Sequence, residues 1–173
     1  MLDASFHQHS GDVSMKHIFW LIDGELCGRA GPNHQPWNAQ ELKAAGVGAV
    51  LSVNNADAVY PDEFDSAGIS YRCIPLASNA PPRPGDLELC VERLALAYSY
   101  ARSEIEAGRA LLVHCRHGKD RTALFMAHYL KMQRKLGTRE AIAVVKAVRP
   151  IALTATGWDR FAIDVLDAGD AAF

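Results

Sequence analysis

Residues 109–135 read RALLVHCRHGKDRTALFMAHYLKMQRK. The first seven, with apolar ALLV at 110–113, read as a buried strand. Residues 121–135 place apolar side chains at helical spacing, with basic residues near the end, where the helix dipole favours them. Between them lies a short loop. In open α/β sheets ligands bind at the carboxyl ends of strands, so this junction predicts both the fold class and the position of a site.

The flanking sequence extends the pattern. HIFWLI (17–22) and the segment after Asp23–Gly24 read as two short strands. Asn38 with Glu41 three residues later forms a capping box that opens a helix stopped by Gly46. VGAVLSV (47–53) and ISYRCIPL (69–76) read as strands, with a short helix ended by Gly68 between them. ASNAPPRPG (77–85) is a loop, because three prolines within four residues forbid regular structure. A long helix follows to Gly108, and two more helices, TREAIAVVKAVR and GWDRFAIDVLDAG, follow the quoted stretch. Strands alternate with helices and helices dominate the C-terminal third. The expectation is one α/β domain with a central, mostly parallel sheet flanked by helices.

With 173 residues, the chain suits a single domain that can bury its own core. Residues 1–16 are polar and read as a flexible tail ahead of a domain at 17–173. This start has neither a basic beginning nor an apolar middle, so it is not a secretory signal. No apolar run approaches a membrane span. Net charge is −2, which gives no global sign of nucleic acid as a partner, so any attraction for anions is local. His7 and His9 in the polar tail and His17 directly after it are irregularly spaced and read as solvated rather than as metal ligands. The four cysteines, Cys27, Cys73, Cys90 and Cys115, form no C-x-x-C pair; this points away from zinc and a disulfide framework and suits a reducing cytoplasm. Cys27, Cys73 and Cys90 sit in apolar patterns and are expected as buried structural thiols.

Only Cys115 has unusual neighbours. A loop that feeds a helix N-terminus aims backbone N–H groups at a common centre, and the helix dipole adds positive potential. Arg121 adds a bidentate fork for an oxyanion, and Arg116, Lys119 and His117 add cationic or polar groups. The same field lowers a thiol pKa from about 8.5 toward roughly 3.5–7.5. A thiolate beneath a bound phosphate- or sulfate-like anion is an in-line nucleophile. Thr122 lies where its hydroxyl can reach that thiolate, and His114 reads as an orienting residue at the loop base.

His114–Cys115, five loop residues, Arg121 and Thr122, after a buried strand, resemble the phosphate-binding signature of the Cys-based protein tyrosine and dual-specificity phosphatases. The resemblance extends over residues 17–166. It implies a protein tyrosine phosphatase-like fold, phosphomonoester hydrolysis through a cysteinyl-phosphate, phosphate binding by residues 116–121 including Gly118, and no metal or other cofactor. VRPIALT (148–154) resembles the family's later Arg-Pro segment, which approaches the active site. One feature departs from the pattern. The family holds its general acid as an Asp in the Pro-rich loop, and the matching position here is Ser78, or Asn79 after a slip of one. Neither side chain is a carboxylic acid. GKDRT (118–122) resembles a branch whose loop Asp is thought to supply the proton, which makes Asp120 the leading candidate over a loop-bracing role. Asp159 is a third candidate, better read as helix capping.

Two substrate classes are implied: phosphoprotein, chiefly phosphotyrosine with some phosphoserine or phosphothreonine, and phosphoinositide, suggested by basic Arg116 and Lys119. A catalytically weak phosphate-binding module is the non-enzymatic alternative, opposed by intact Cys115 and Arg121. A rhodanese-like sulfur carrier is disfavoured by the KDRT continuation.

Overall fold

The computed structural model describes residues 15–171. Five strands form one sheet: β1 (Phe19–Ile22), β2 (Leu26–Ala30), β3 (Val47–Ser52), β4 (Ser70–Cys73) and β5 (Ala110–Cys115). Their order is β1-β2-β5-β3-β4. Only β1 runs antiparallel, paired to β2 through a tight turn at Asp23–Gly24; the other pairings are parallel. Helices α1 (Ala39–Ala44), α2 (Pro61–Ala67), α3 (Asp86–Glu106), α4 (Arg121–Arg134), α5 (Thr138–Val148) and α6 (Trp158–Asp170) complete the domain. The observed fold is the expected α/β domain with a mostly parallel sheet between helices. Residues 1–14 of the expected tail, with His7 and His9, lie outside the described residues; Met15 packs against the second of the two cores described below.

Each strand side chain alternates between two cores. Leu111, Val113 and Cys115 of β5 face the larger core, built with α3, α4, α5 and α6, whereas Leu112 faces the smaller core with α1 and α2. This period of two points the Cys115 thiol toward α4. In β3 the alternation shifts phase: Val47 and Val50 face the smaller core, while Ala49 and Leu51, with Val53 just beyond the strand, face the larger. The register irregularity between Val47 and Ala49 accounts for the extra residue.

Local signals act as the sequence implies. Asn38 Oδ1 accepts from the Glu41 amide at 2.9 Å and Glu41 Oε2 accepts from the Asn38 amide at 3.1 Å, a complete capping box. Two expectations need correction. The strand read through Leu76 ends at Cys73; beyond it the Ile74 and Leu76 amides still bond Ser52 and Val53, but Pro75 has no N–H to continue a ladder. Cys73 is half-buried rather than buried, because β4 is an edge strand; its thiol donates to the Asn54 carbonyl at 3.3 Å. Cys27 and Cys90 are buried as expected, and burial holds the Cys27 thiol well above its usual range and pushes Cys90 up to about 11.

Burial also sets a pH dependence. His114 is fully buried and His128 of α4 nearly so, and desolvation pulls both imidazoles down to about 4. Their unfolded values lie near 6.5, so between about pH 6.5 and 4 the unfolded chain binds more protons than the folded one. The stability that neutral burial contributes is complete above pH 6.5 and is lost as pH falls toward 4, on the order of a few kcal/mol for the pair. Urea unfolding at a series of pH values should show this decline. His128→Gln should flatten it, since His128 Nε2 has no partner among the described residues; an unchanged slope contradicts neutral burial of His128.

Candidate active site

Sheet geometry delivers the loop to its position. β5 is the central strand, and Cys115, its last residue, is 3% exposed. Residues Arg116–Asp120 turn from the strand into α4, which begins at Arg121. Thr122, fully buried in the first turn of α4, donates its hydroxyl to the Cys115 sulfur at 3.2 Å. A hydrogen bond to a thiolate stabilises its charged form.

The loop's carbonyl oxygens show how it is held open. Arg116 O accepts from the Gly31 amide at 3.0 Å, and Lys119 O from the Leu153 amide at 3.3 Å. His117 O and Gly118 O accept from Arg149 Nη2 at 2.8 Å and Nε at 3.1 Å. Asp120 O starts the α4 ladder with the Leu124 amide at 2.9 Å. Every carbonyl from 116 to 120 is therefore occupied by a donor outside the loop. The backbone N–H groups of the same residues have no protein acceptor among the described residues. Outward carbonyls and free amides at a helix N-terminus make an anion-binding concavity. Gly118 permits this turn: its φ is +61°, and a Cβ there would meet the Arg29 carbonyl carbon and oxygen at 2.7 Å.

Arg149 is held as the brace. Its guanidinium stacks over the Phe19 ring at 4.9 Å, and burial lowers its pKa while the nearby Cys115 opposes that change. The sequence reading placed the Arg-Pro segment near the site; the structure makes Arg149 the residue that fixes the loop.

His114 faces the other side of the sheet. Its Nδ1 lies 3.1 Å from the Cys115 carbonyl, which can only accept, so Nδ1 carries the proton. Its Nε2, 2.6 Å from Ser52 Oγ, then accepts, which leaves Ser52 to accept from the Tyr71 hydroxyl at 2.9 Å. A directed chain, Tyr71 to Ser52 to His114 to the Cys115 carbonyl, fixes the end of β5. Trp37 closes on the imidazole edge with ring centroids 5.4 Å apart. Residue type and spacing gave no signal for Ser52 or Tyr71; the parallel β3–β5 register brings Ser52 opposite His114.

The remaining polar groups sort by position. The Arg121 guanidinium forms no ion pair among the described residues. Arg116 and His117 are exposed and Lys119 half-buried. Burial first, then His34 and the loop cations, pull His117 below its usual range, so it adds polarity rather than charge at neutral pH. Asp120 is largely enclosed: Oδ1 accepts from the Ala155 amide at 3.2 Å, and Oδ2 lies 3.6 Å from Lys119 Nζ. Ser78 is exposed. Asn79 is committed elsewhere, donating to both oxygens of Asp86 while its carbonyl accepts from Trp158 Nε1 at 2.9 Å. Asp159 is exposed in the first turn of α6, whose cap is Gly157, so its expected role as a side-chain cap is corrected: it lies along the helix dipole without closing the end.

A family model for the dual specificity phosphatase catalytic domain matches residues 32–160. That span covers most of the described chain and the whole loop. The chain belongs to the dual specificity phosphatase family. It is a Cys-based phosphatase. Similar solved structures support the fold. Tk-PTP in its active form is 22% identical, with 91% of this chain and 99% of that chain covered and a TM-score of 0.72. Human DUSP28 is 19% identical over 91% of this chain and 98% of that chain, with a TM-score of 0.65. PTPMT1 in complex with PI(5)P is 16% identical over 87% of this chain and 95% of that chain, with a TM-score of 0.67. Among the described residues no helix is long and apolar enough to cross a membrane.

Proposed function

We propose that this phosphatase hydrolyses phosphomonoesters of proteins, chiefly phosphotyrosine, through a cysteinyl-phosphate. The reading rests above all on the Cys115 sulfur at the floor of a loop whose carbonyls are all turned outward. The phosphate dianion is held by the free loop amides and the Arg121 fork. The Cys115 thiolate attacks phosphorus as the ester P–O bond breaks, and the electron pair leaves with the oxygen. Asp120 gives that oxygen its proton. Arg121 and the amides stabilise the equatorial oxygens. Water then attacks the thiophosphate, Asp120 takes its proton, and the thiolate returns with release of phosphate.

Asp120 is favoured for the proton because it is the carboxyl group carried by the loop itself, while Ser78 has no acid and Asn79 is bound to Asp86. Residues 17–173 are the catalytic domain in this reading, acting in the cytoplasm.

A phosphoinositide substrate is the second reading, favoured by exposed Arg116 beside Lys119 at the loop rim. A panel of phosphotyrosyl, phosphoseryl and phosphothreonyl peptides assayed beside phosphoinositides separates the two. We expect the highest kcat/KM on phosphotyrosyl peptides. Higher values on phosphoinositides replace that assignment, and phosphate binding without turnover of any substrate would favour a binding module.

A further inference from the structure

Beside the phosphate loop, on the smaller-core side of the sheet, lies a cavity of about 600 Å³ lined by Met15–His17, Arg29, His34, Gln35, Pro36, Glu41 and Ala44. Arg29 stands at its base. Arg29 belongs to β2 and the residue is only 4% exposed. Its Nε donates to the Lys16 carbonyl at 3.2 Å, and Nη1 donates to the Gln35 carbonyl at 2.7 Å and the Ala30 carbonyl at 3.4 Å. Nη2 has no acceptor among the described residues, and no carboxylate forms an ion pair with Arg29 there.

A buried cation held only by neutral carbonyls is costly. The one acidic side chain on the cavity wall, Glu41, is exposed, and one of its oxygens already serves the α1 capping box. It acts on Arg29 only through space, and burial dominates by lowering the guanidinium's pKa. Lys16, His17 and His34 add further cationic or donor groups. The wall thus has a surplus of donors and positive charge beside an Arg29 Nη2 that has no acceptor among the described residues.

The cavity adjoins the catalytic loop directly. His34 on its rim meets His117 of the loop edge-on, with ring centroids 4.4 Å apart. The Arg29 backbone abuts Gly118.

We propose that this cavity is a second anion subsite, in which Arg29 Nη2 and Lys16 bind a phosphate or carboxylate group next to the phosphomonoester site. The proposal deepens the phosphatase reading and rests on it only for the source of the anion: a second acidic group of the substrate, or free phosphate.

Calorimetric titration of the full-length Cys115→Ser protein with inorganic phosphate tests it. Two phosphates per chain are expected, one in the loop and one in the cavity. Adding Arg29→Lys or Lys16→Glu should weaken the second by about tenfold or more, the loss of a charge-assisted hydrogen bond or charge. Lys16 is exposed, so its variant stays informative if Arg29→Lys does not fold. A single phosphate, or two whose affinities neither variant changes, overturns the subsite.

Kinetics of Lys16→Glu in the active enzyme identify the source. A selective loss of kcat/KM for an inositol bisphosphate over p-nitrophenyl phosphate assigns the subsite to the substrate's second phosphate; equal values, with two-phosphate binding, assign it to free phosphate. If the wild-type chain fails to turn over p-nitrophenyl phosphate, the phosphatase reading falls while the titration still decides the cavity.

Discussion

Replacing Cys115 by Ser should abolish turnover, lowering kcat on p-nitrophenyl phosphate on the order of 10⁴-fold or more, while phosphate still binds. The two outcomes separate because different parts of the site produce them. The Cys115 sulfur is the nucleophile, supported by the Thr122 hydroxyl at 3.2 Å. A serine hydroxyl is a far weaker acid and nucleophile than a thiol, so the nucleophile is lost. The anion cradle is untouched: Arg149, Gly31 and Leu153 still hold the loop carbonyls outward, and the Arg121 side chain is unchanged. Phosphate binding should hold or tighten, because a thiolate no longer lies beneath the dianion. The substitution is nearly isosteric at a buried position whose neighbour, Thr122, can still donate to oxygen. Thermal unfolding should therefore shift little. Acid-quenched wild-type protein should carry one phosphate on Cys115 by peptide mass mapping. Retained turnover in Cys115→Ser, or no trapped phosphate in the wild type, would remove the covalent mechanism.

The elements that were legible in the sequence are those whose local chemistry and tertiary role agree. Apolar ALLV at 110–113 marks a buried strand, and the structure places it centrally as β5. The Asn38–Glu41 box and Gly68 fix helix ends by their own hydrogen bonds and backbone freedom. The loop from Arg116 to Arg121 was legible because anion chemistry concentrates its residues in one stretch of chain. What stayed hidden depends on contacts between distant segments. Ser52 is an ordinary strand-end serine until β3 pairs with β5 and sets it against His114. Arg149 was placed only as part of a segment near the site; its task, taking two loop carbonyls at once, follows from how the 149–155 turn folds back over residues 117–120. Arg29 reads as one cation in a short strand, and only burial makes its charge unusual. Cys73 was misjudged because an apolar pattern does not reveal which strand forms the sheet edge.

The second large effect concerns the missing acid of the Pro-rich loop. Asp120→Asn should lower kcat on phosphotyrosyl peptides and alkyl phosphates by about 10²–10⁴-fold, the usual contribution of general acid catalysis. Turnover of p-nitrophenyl phosphate should fall much less in the P–O cleavage step, because p-nitrophenolate leaves without a proton. The contrast between leaving groups distinguishes proton donation from loop bracing. Asp120 does brace: it accepts from the Ala155 amide and lies near Lys119. Asn retains a carbonyl oxygen that can accept the Ala155 bond, so the brace largely survives while the acidic proton does not. A purely structural role therefore predicts equal, modest losses on both substrates, with weaker phosphate binding by the Cys115→Ser/Asp120→Asn protein. A catalytic role predicts unequal losses with phosphate affinity kept. If breakdown of the cysteinyl-phosphate limits turnover, both substrates share that later step, so the comparison is made on the burst of p-nitrophenol and of dephosphorylated peptide in single-turnover experiments. Equal burst rates in wild type and Asp120→Asn on the peptide would assign the proton to another donor.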